Sequence, residues 1–113
     1  MEPTAEQKSI IEKAREQHGS IYVGATKGGD LFVVRPATTA EASRFQAHAG
    51  KTDKAGLAVG MRPAQETLAK AVTVYPDGEA RTELFSKYPF LVAKIADRCI
   101  DLSGGEIEDL GNV

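Results

Sequence analysis

The residues that most suggest chemistry form a glycine-rich segment in the first third of the chain. It runs Gly24-Ala25-Thr26-Lys27-Gly28-Gly29 and invites comparison with a phosphate-binding loop. A Walker A loop needs a Lys directly after its last Gly and then a Ser or Thr, so that these side chains reach the phosphates and Mg²⁺. Here Lys27 precedes the glycine pair, so the spacing fails. The pair Gly28-Gly29 instead predicts a tight turn between two strands.

Candidate metal ligands and nucleophiles are few and widely separated. The two histidines, His18 and His48, and the single cysteine, Cys99, show no zinc-type spacing. Each His comes near the end of a predicted helix, where it favours the negative end of the helix dipole, and Cys99 falls on an apolar helix face, where a buried thiol is inert. The acidic and Ser residues form neither a nucleophile elbow nor a paired-carboxylate pattern. We therefore predict no catalytic residue, no cofactor and no metal site, and a protein that is not an enzyme.

A modest basic cluster surrounds the glycine-containing stretch 50–62. It consists of Lys51, Lys54, Arg62 and Lys70. These side chains could bind an acidic partner, or they could simply solvate a mobile loop, and the loop interpretation is the one we favour. The formal net charge of −2 argues against a nucleic-acid partner, because such proteins carry a basic excess.

Length and composition indicate one ordinary globular domain over residues 1–113. Hydrophobic residues make up 42% of the chain and charged residues 27%, which is enough to build a core without a disulfide or a metal. A lone cysteine fits a reducing compartment. No basic region followed by an apolar run opens the chain, and no apolar run is long enough to cross a bilayer. We expect a cytoplasmic protein with no membrane partner.

Capping residues and apolar spacing predict five helices. Thr4 with Gln7, and Thr38 with Glu41, match the capping-box pattern that opens a helix. The helices are expected over about residues 5–18, 39–49, 63–75, 78–87 and 90–102. The chain is thus divided into an N-terminal helix (1–19), a β-hairpin (20–36), a helical part (38–104) with a flexible loop at 50–62, and an acidic tail (105–113).

A β-hairpin is predicted from two β-rich runs on either side of the glycine pair. Strands near 20–26 and 30–35 would be joined by a two-residue loop at Gly28-Gly29, which pairs Thr26 with Leu31. An isolated hairpin is marginal in water, so this one must pack on helices or pair its edge. The expected fold class is α+β, a mostly helical small domain with one β-hairpin packed against helices.

The last helix is the most apolar element. Leu91, Ile95, Cys99 and Leu102 recur at helical spacing and are expected to be buried.

Several short motifs lie between about residues 31 and 104. They are Phe32-Val33-Val34-Arg35-Pro36, Thr39-Ala40-Glu41 with Phe45, Ala71-Val72-Thr73-Val74-Tyr75-Pro76-Asp77, Glu83-Leu84-Phe85, Lys87-Tyr88-Pro89, Ile95-Ala96-Asp97 and Leu102-Ser103-Gly104. Through these motifs the chain resembles the small tail assembly chaperones of tailed bacteriophages.

The resemblance implies a function in virion assembly. Members of that family are not enzymes; they bind the long tape-measure protein, help to recruit tail tube subunits, and then leave. It further implies an apolar helical binding face, a tendency to self-associate, location in the host cytoplasm during assembly, and scope for a longer frameshifted form. The apolar helices around Leu84, Phe85, Phe90 and Leu91 could offer a groove for an amphipathic helix, so these four residues are the candidate partner-binding site.

Two other classes of function stay open. The alternative is a structural virion component, such as a capsid-decorating or head–tail joining protein, which would remain in the finished particle. A small enzyme or nucleotide binder has no motif in support.

Overall fold

Five helices and a three-stranded antiparallel sheet form the computed structural model of this chain, which describes residues 2–104 and 109–111. This confirms the predicted α+β class. In chain order the elements are α1 (Ala5–His18), β1 (Tyr22–Ala25), β2 (Leu31–Val34), α2 (Thr39–Ala49), α3 (Met61–Val72), β3 (Thr73–Tyr75), α4 (Gly78–Lys87) and α5 (Leu91–Ser103). The predicted acidic tail, 105–113, falls mostly outside the described residues.

Both predicted capping boxes are present. The Thr4 hydroxyl accepts the N–H of Gln7 at 3.1 Å, and the Gln7 side chain accepts the N–H of Thr4 at 2.9 Å. Thr38 and Glu41 make the same reciprocal pair at the start of α2. Each box satisfies two N–H groups that a helix start would leave unpaired, which is why α1 and α2 begin where the sequence predicts.

The predicted hairpin is present, but its predicted loop length and strand register are wrong. Ala25 pairs with Leu31, so the predicted pairing of Thr26 with Leu31 is off by one residue. The N–H of Thr26 bonds to the carbonyl of Asp30 at 3.0 Å, which leaves a three-residue loop from Lys27 to Gly29. Only the second glycine of the pair adopts a positive φ, of 90°. A turn followed by one left-handed Gly is the usual three-residue hairpin loop, whereas the two-residue type I′ turn needs two positive φ angles.

A third strand, β3, was predicted as the end of a helix. The β-branched residues Thr73 and Val74 come just before Pro76, and neither β-branching nor a following proline favours continuing a helix. The strand pairs with β2, so β2 becomes the central strand of the order β1-β2-β3 and its four residues are all buried. The hairpin therefore gains a third strand as well as helices to pack on.

The sheet has a core on each face. On one face Leu31 and Val33 pack with Ala14 of α1. On the other, Phe32 and Val34 join the main core, which is built from α3, α4 and α5. The expected burial of α5 is confirmed for Leu91, Ile95 and Cys99, while Leu102 is half-buried against the core.

The stretch predicted as a loop at 50–62 has defined local structure. Helix α3 begins at Met61, and the preceding residues fold back on themselves through a bridge between Thr52 and Ala58. The Asp53 carboxylate closes this turn by accepting the N–H groups of two following residues at 2.9 Å each. Gly60 then passes so close to the carbonyl of His48 that any Cβ there would collide with it.

Candidate functional site

An open groove of about 920 Å³ lies between the β1 end of the sheet and one face of α5. The sheet contributes Tyr22 and Phe32, whose rings lie 6.1 Å apart between centroids. The connection from α4 to α5 contributes Tyr88, Pro89 and Phe90. The charged face of α5 completes the other wall, so the groove has an aromatic interior and a charged rim.

Proline geometry explains why Phe90 stands at the mouth of this groove. Pro89 disfavours a helical conformation at the residue before it, and Tyr88 accordingly has φ −127° and ψ 82°. Helix α4 therefore ends at Lys87, and α5 begins only at Leu91. Phe90 falls in the short turn between the two helices and is 78% exposed, the highest value among the large apolar residues of the described chain.

The Asp30 carboxylate joins the hairpin turn to the α4–α5 connection. The Tyr88 hydroxyl donates to Oδ2 of Asp30 at 2.9 Å, and the Thr26 hydroxyl donates to the same oxygen at 3.1 Å. Lys87 Nζ lies 3.6 Å from it. The bond from Tyr88, followed by that from Thr26, holds the pKa of Asp30 below its ordinary value. Asp30 is thus held as a carboxylate that connects the turn to the α4–α5 junction.

Cations predominate on the rim of the groove. They are Lys27, Lys87, Lys94 and Arg98, against the carboxylates of Asp97 and Asp101. The Arg98 guanidinium lies 5.0 Å from the centroid of the Tyr22 ring, and the Lys87 ammonium 5.4 Å from that of Tyr88, both within cation–π range. The ion pairs in the described part of the chain include Lys87 but none of the other three cations.

The four residues predicted to bind a partner differ in exposure: three are buried and one is exposed. Leu84, Phe85 and Leu91 are only 6%, 9% and 8% exposed, because the apolar sides of α4 and α5 face the main core. Leu91 also reaches the floor of the groove, and Phe90 is the member of the set that stands free at the surface. An apolar helical pattern predicts burial without saying whether the core or a partner supplies it.

The sequence analysis singles out neither Tyr22 of the sheet nor the cations Lys94 and Arg98 of α5 as site residues. No local pattern could have joined them, because Tyr22 and Arg98 are far apart in the sequence and meet only when the sheet packs on α5.

The other candidate residues show no convergence on a site. Arg62 of the predicted basic cluster is engaged by Glu66 at 2.9 Å and by the carbonyl of Pro89 at 3.0 Å. His18 and His48 lie in the last turns of α1 and α2, as predicted. Burial raises the pKa of the Cys99 thiol, which is 0% exposed. Within residues 2–104 and 109–111, no group of three or more His, Cys, Asp or Glu side chains could hold a metal ion.

Comparison with protein-family models, with curated proteins and with solved structures finds no match. Among the helices of the described chain, none has the length and apolar character needed to cross a membrane.

Proposed function

We propose that this protein is a binding protein that takes a helical segment of a partner in the aromatic groove, and that it acts as a tail assembly chaperone on tape-measure and tail tube proteins. The observation that carries the proposal is the exposure of Phe90, 78%, at the mouth of an open groove lined by Tyr22, Phe32 and Tyr88. Large aromatic side chains beside a partly apolar groove are the usual anchors of protein interfaces.

The shape of the groove supports a segment of protein chain as the occupant. The groove follows α5 from Leu91 to Asp101, about 15 Å at the rise of an α-helix. It is open along this length, whereas pockets for small molecules enclose most of their ligand. About three turns of a partner helix would fit beside α5, with the apolar side of that helix on the aromatic floor.

The polar groups of the groove support a binding role over a catalytic one. Asp30 lies beside the groove, and it accepts hydrogen bonds from Tyr88 and Thr26 with Lys87 nearby. Thr26, Tyr88 and Lys87 line the groove, so their contacts with Asp30 hold the hairpin turn against the α4–α5 connection. The resemblance to tail assembly chaperones supplies the biological context, and it covers the segment that contains α4, Phe90 and α5.

Capture of partners tests the proposal. A tagged form would be co-expressed with the products of neighbouring genes, purified by affinity and analysed by mass spectrometry. We expect the wild type to retain an elongated, helix-rich tail protein and Phe90→Asp to lose it. Leu57→Asp is the matched control, because Leu57 is 65% exposed and lies outside the groove. Circular dichroism would verify that both variants remain folded.

Two outcomes would overturn the proposal. Retention of no tail protein by the wild type would remove the chaperone function. Recovery of the protein at fixed copy number in purified virions would favour the alternative, a structural component of the particle.

A further inference from the structure

We propose that the segment accepted by the groove is acidic, with carboxylates placed about one helical turn from an apolar anchor. This inference rests on the proposed function, because it specifies the chemistry of the partner at the same site. It is drawn from the distribution of charge around the groove and from the pairing of each charged group.

The rim of the groove has a net positive charge, opposite in sign to the net charge of the whole chain. The chain has a formal net charge of −2, yet four cations and two carboxylates line the groove. The Asp30 carboxylate and the Lys87 ammonium, 3.6 Å apart, offset each other. Lys27 and Lys94, both exposed, have no carboxylate within ion-pair distance in the described structure. Arg98 also has no ion-pair partner there, but its guanidinium lies over the Tyr22 ring. Lys27 and Lys94 are therefore the groove cations with neither a counter-charge nor an aromatic ring beside them in the described structure.

A partner that covers these lysines must offer them a counter-charge, because it removes their ammonium groups from water. An ammonium removed from water without a partner carries a large desolvation penalty. An apolar or basic segment lying on Phe90 would cover Lys94, which follows Leu91 by one helical turn, and would leave its charge unpaired. A segment that brings carboxylates would instead form charge-assisted hydrogen bonds at the same positions.

The positions of the charges also predict which end of the groove the acidic part of the bound segment occupies. Lys27 and Lys94 lie toward the end of the groove that holds Phe90 and the hairpin turn, whereas Asp101 lies at the other end of α5. The acidic end of the segment is thus expected beside the hairpin turn, since carboxylates facing Asp97 and Asp101 would be repelled.

Nucleic acid is the other polyanion that a basic groove could attract, and the groove chemistry favours protein. Asp97 and Asp101 line the same wall as Lys94, and they would repel a continuous phosphate backbone running along α5. A protein segment can place its carboxylates at one end only.

Fluorescence anisotropy with three labelled probes tests the inference. Two are helical peptides of about 14 residues that share Leu at i, i+3, i+4 and i+7 spacing. They differ only at their charged positions, which are all Glu in the first peptide and all Lys in the second. The third is a short single-stranded DNA. We expect the Glu peptide to bind at least about tenfold more tightly than the Lys peptide, and binding to weaken between about 50 and about 500 mM NaCl.

Charge-reversal variants of the protein test whether Lys27 and Lys94 are the residues that bind the Glu peptide. Lys94→Glu and Lys27→Glu should each weaken binding of the Glu peptide by about five- to tenfold, and the double variant should prefer the Lys peptide. Lys13→Glu, the same change on the exposed surface of α1, serves as the control and should leave binding unchanged.

Several results would overturn the inference. They are no binding of the Glu peptide, equal binding of the two peptides, an equal effect of Lys13→Glu, or tighter binding of the DNA. If the peptides fail while the tagged protein still captures a tail protein through Phe90, the acidic chemistry is wrong and the proposed function stands. If the Glu peptide binds as expected while no tail protein is captured, the acidic groove stands and the chaperone function fails.

Discussion

Arg35 and Glu41 form a bidentate ion pair that connects the end of β2 to the first turn of α2, with both N–O distances at 2.8 Å. The same guanidinium donates to the carbonyl of Ala71 in α3 at 2.9 Å, and the same carboxylate accepts the N–H of Thr38 at 2.9 Å. One ion pair therefore links a strand, a helix start and the end of a second helix. Its side chains are 19% and 15% exposed.

Removal of the carboxylate charge should destabilise the fold measurably. Glu41→Gln leaves the Arg35 guanidinium largely buried without its counter-charge, and we expect a loss of about 2–4 kcal/mol in the free energy of unfolding. Urea unfolding monitored by circular dichroism measures it. Glu66→Gln is the control, because the Arg62–Glu66 pair is exposed and such pairs contribute about 0.3–0.5 kcal/mol. Equal losses in the two variants would contradict the importance assigned to the Arg35–Glu41 pair.

The same pair predicts how stability depends on pH. The Arg35 guanidinium lowers the pKa of Glu41 from 4.5 to about 2. A carboxyl with a lower pKa in the folded state binds protons more weakly there, so protonation favours the unfolded chain. This contribution is fully present above about pH 4.5 and is lost as the pH falls toward 2, by up to about 3 kcal/mol. Urea unfolding at several pH values in this range measures the free energy of unfolding. That free energy should fall less steeply with decreasing pH in Glu41→Gln than in the wild type, and an equally steep fall would contradict the assignment.

Core packing of α5 can be tested on two isoleucines of one helix. Ile95 is 0% exposed and Ile100 is 45% exposed. Ile95→Ala should cost about 2–5 kcal/mol of unfolding free energy because it opens a cavity, while Ile100→Ala should cost well under half as much. Thermal and urea unfolding measure both. Similar small losses would mean that this face of α5 is covered by something other than the protein's own core.

The hydroxyl of Tyr88 should control the ionisation of Asp30. Tyr88→Phe removes the hydrogen bond that contributes most to the lowered pKa of Asp30, so that pKa should rise toward its ordinary value. A carbon-detected NMR titration of the Asp side chains measures it. In the control, Tyr75→Phe, the lost hydroxyl is one that accepts from Gln7 and not the one that donates to Asp30, so the pKa of Asp30 should not move. An unmoved pKa in Tyr88→Phe would show that the hydroxyl does not hold the carboxylate.

Local features of the chain were predictable because their cause lies within a few residues. Thr4 and Thr38 cap helices through bonds to residues three positions later, and Gly19 ends α1, so sequence spacing alone located these boundaries. The amphipathic period of α5 likewise predicted that Ile95 and Cys99 are buried. These features locate α1, α2 and α5, and the β-rich runs on either side of Gly28-Gly29 add the hairpin that makes the class α+β.

Tertiary structure decided the rest, because it depends on contacts between residues far apart in the sequence. Strand β3 forms because β2 offers it an edge. The β-branched residues Thr73 and Val74 before Pro76 disfavour a helix locally, but they do not show that the segment pairs with β2. The groove needs Tyr22 beside Arg98, an approach made only when the sheet packs on α5. Sequence periodicity could mark Leu84, Phe85 and Leu91 as apolar, but only packing determined that the core buries them and leaves Phe90 exposed. A hydrophobic pattern reports that a side chain avoids water, and the folded molecule determines which surface covers it.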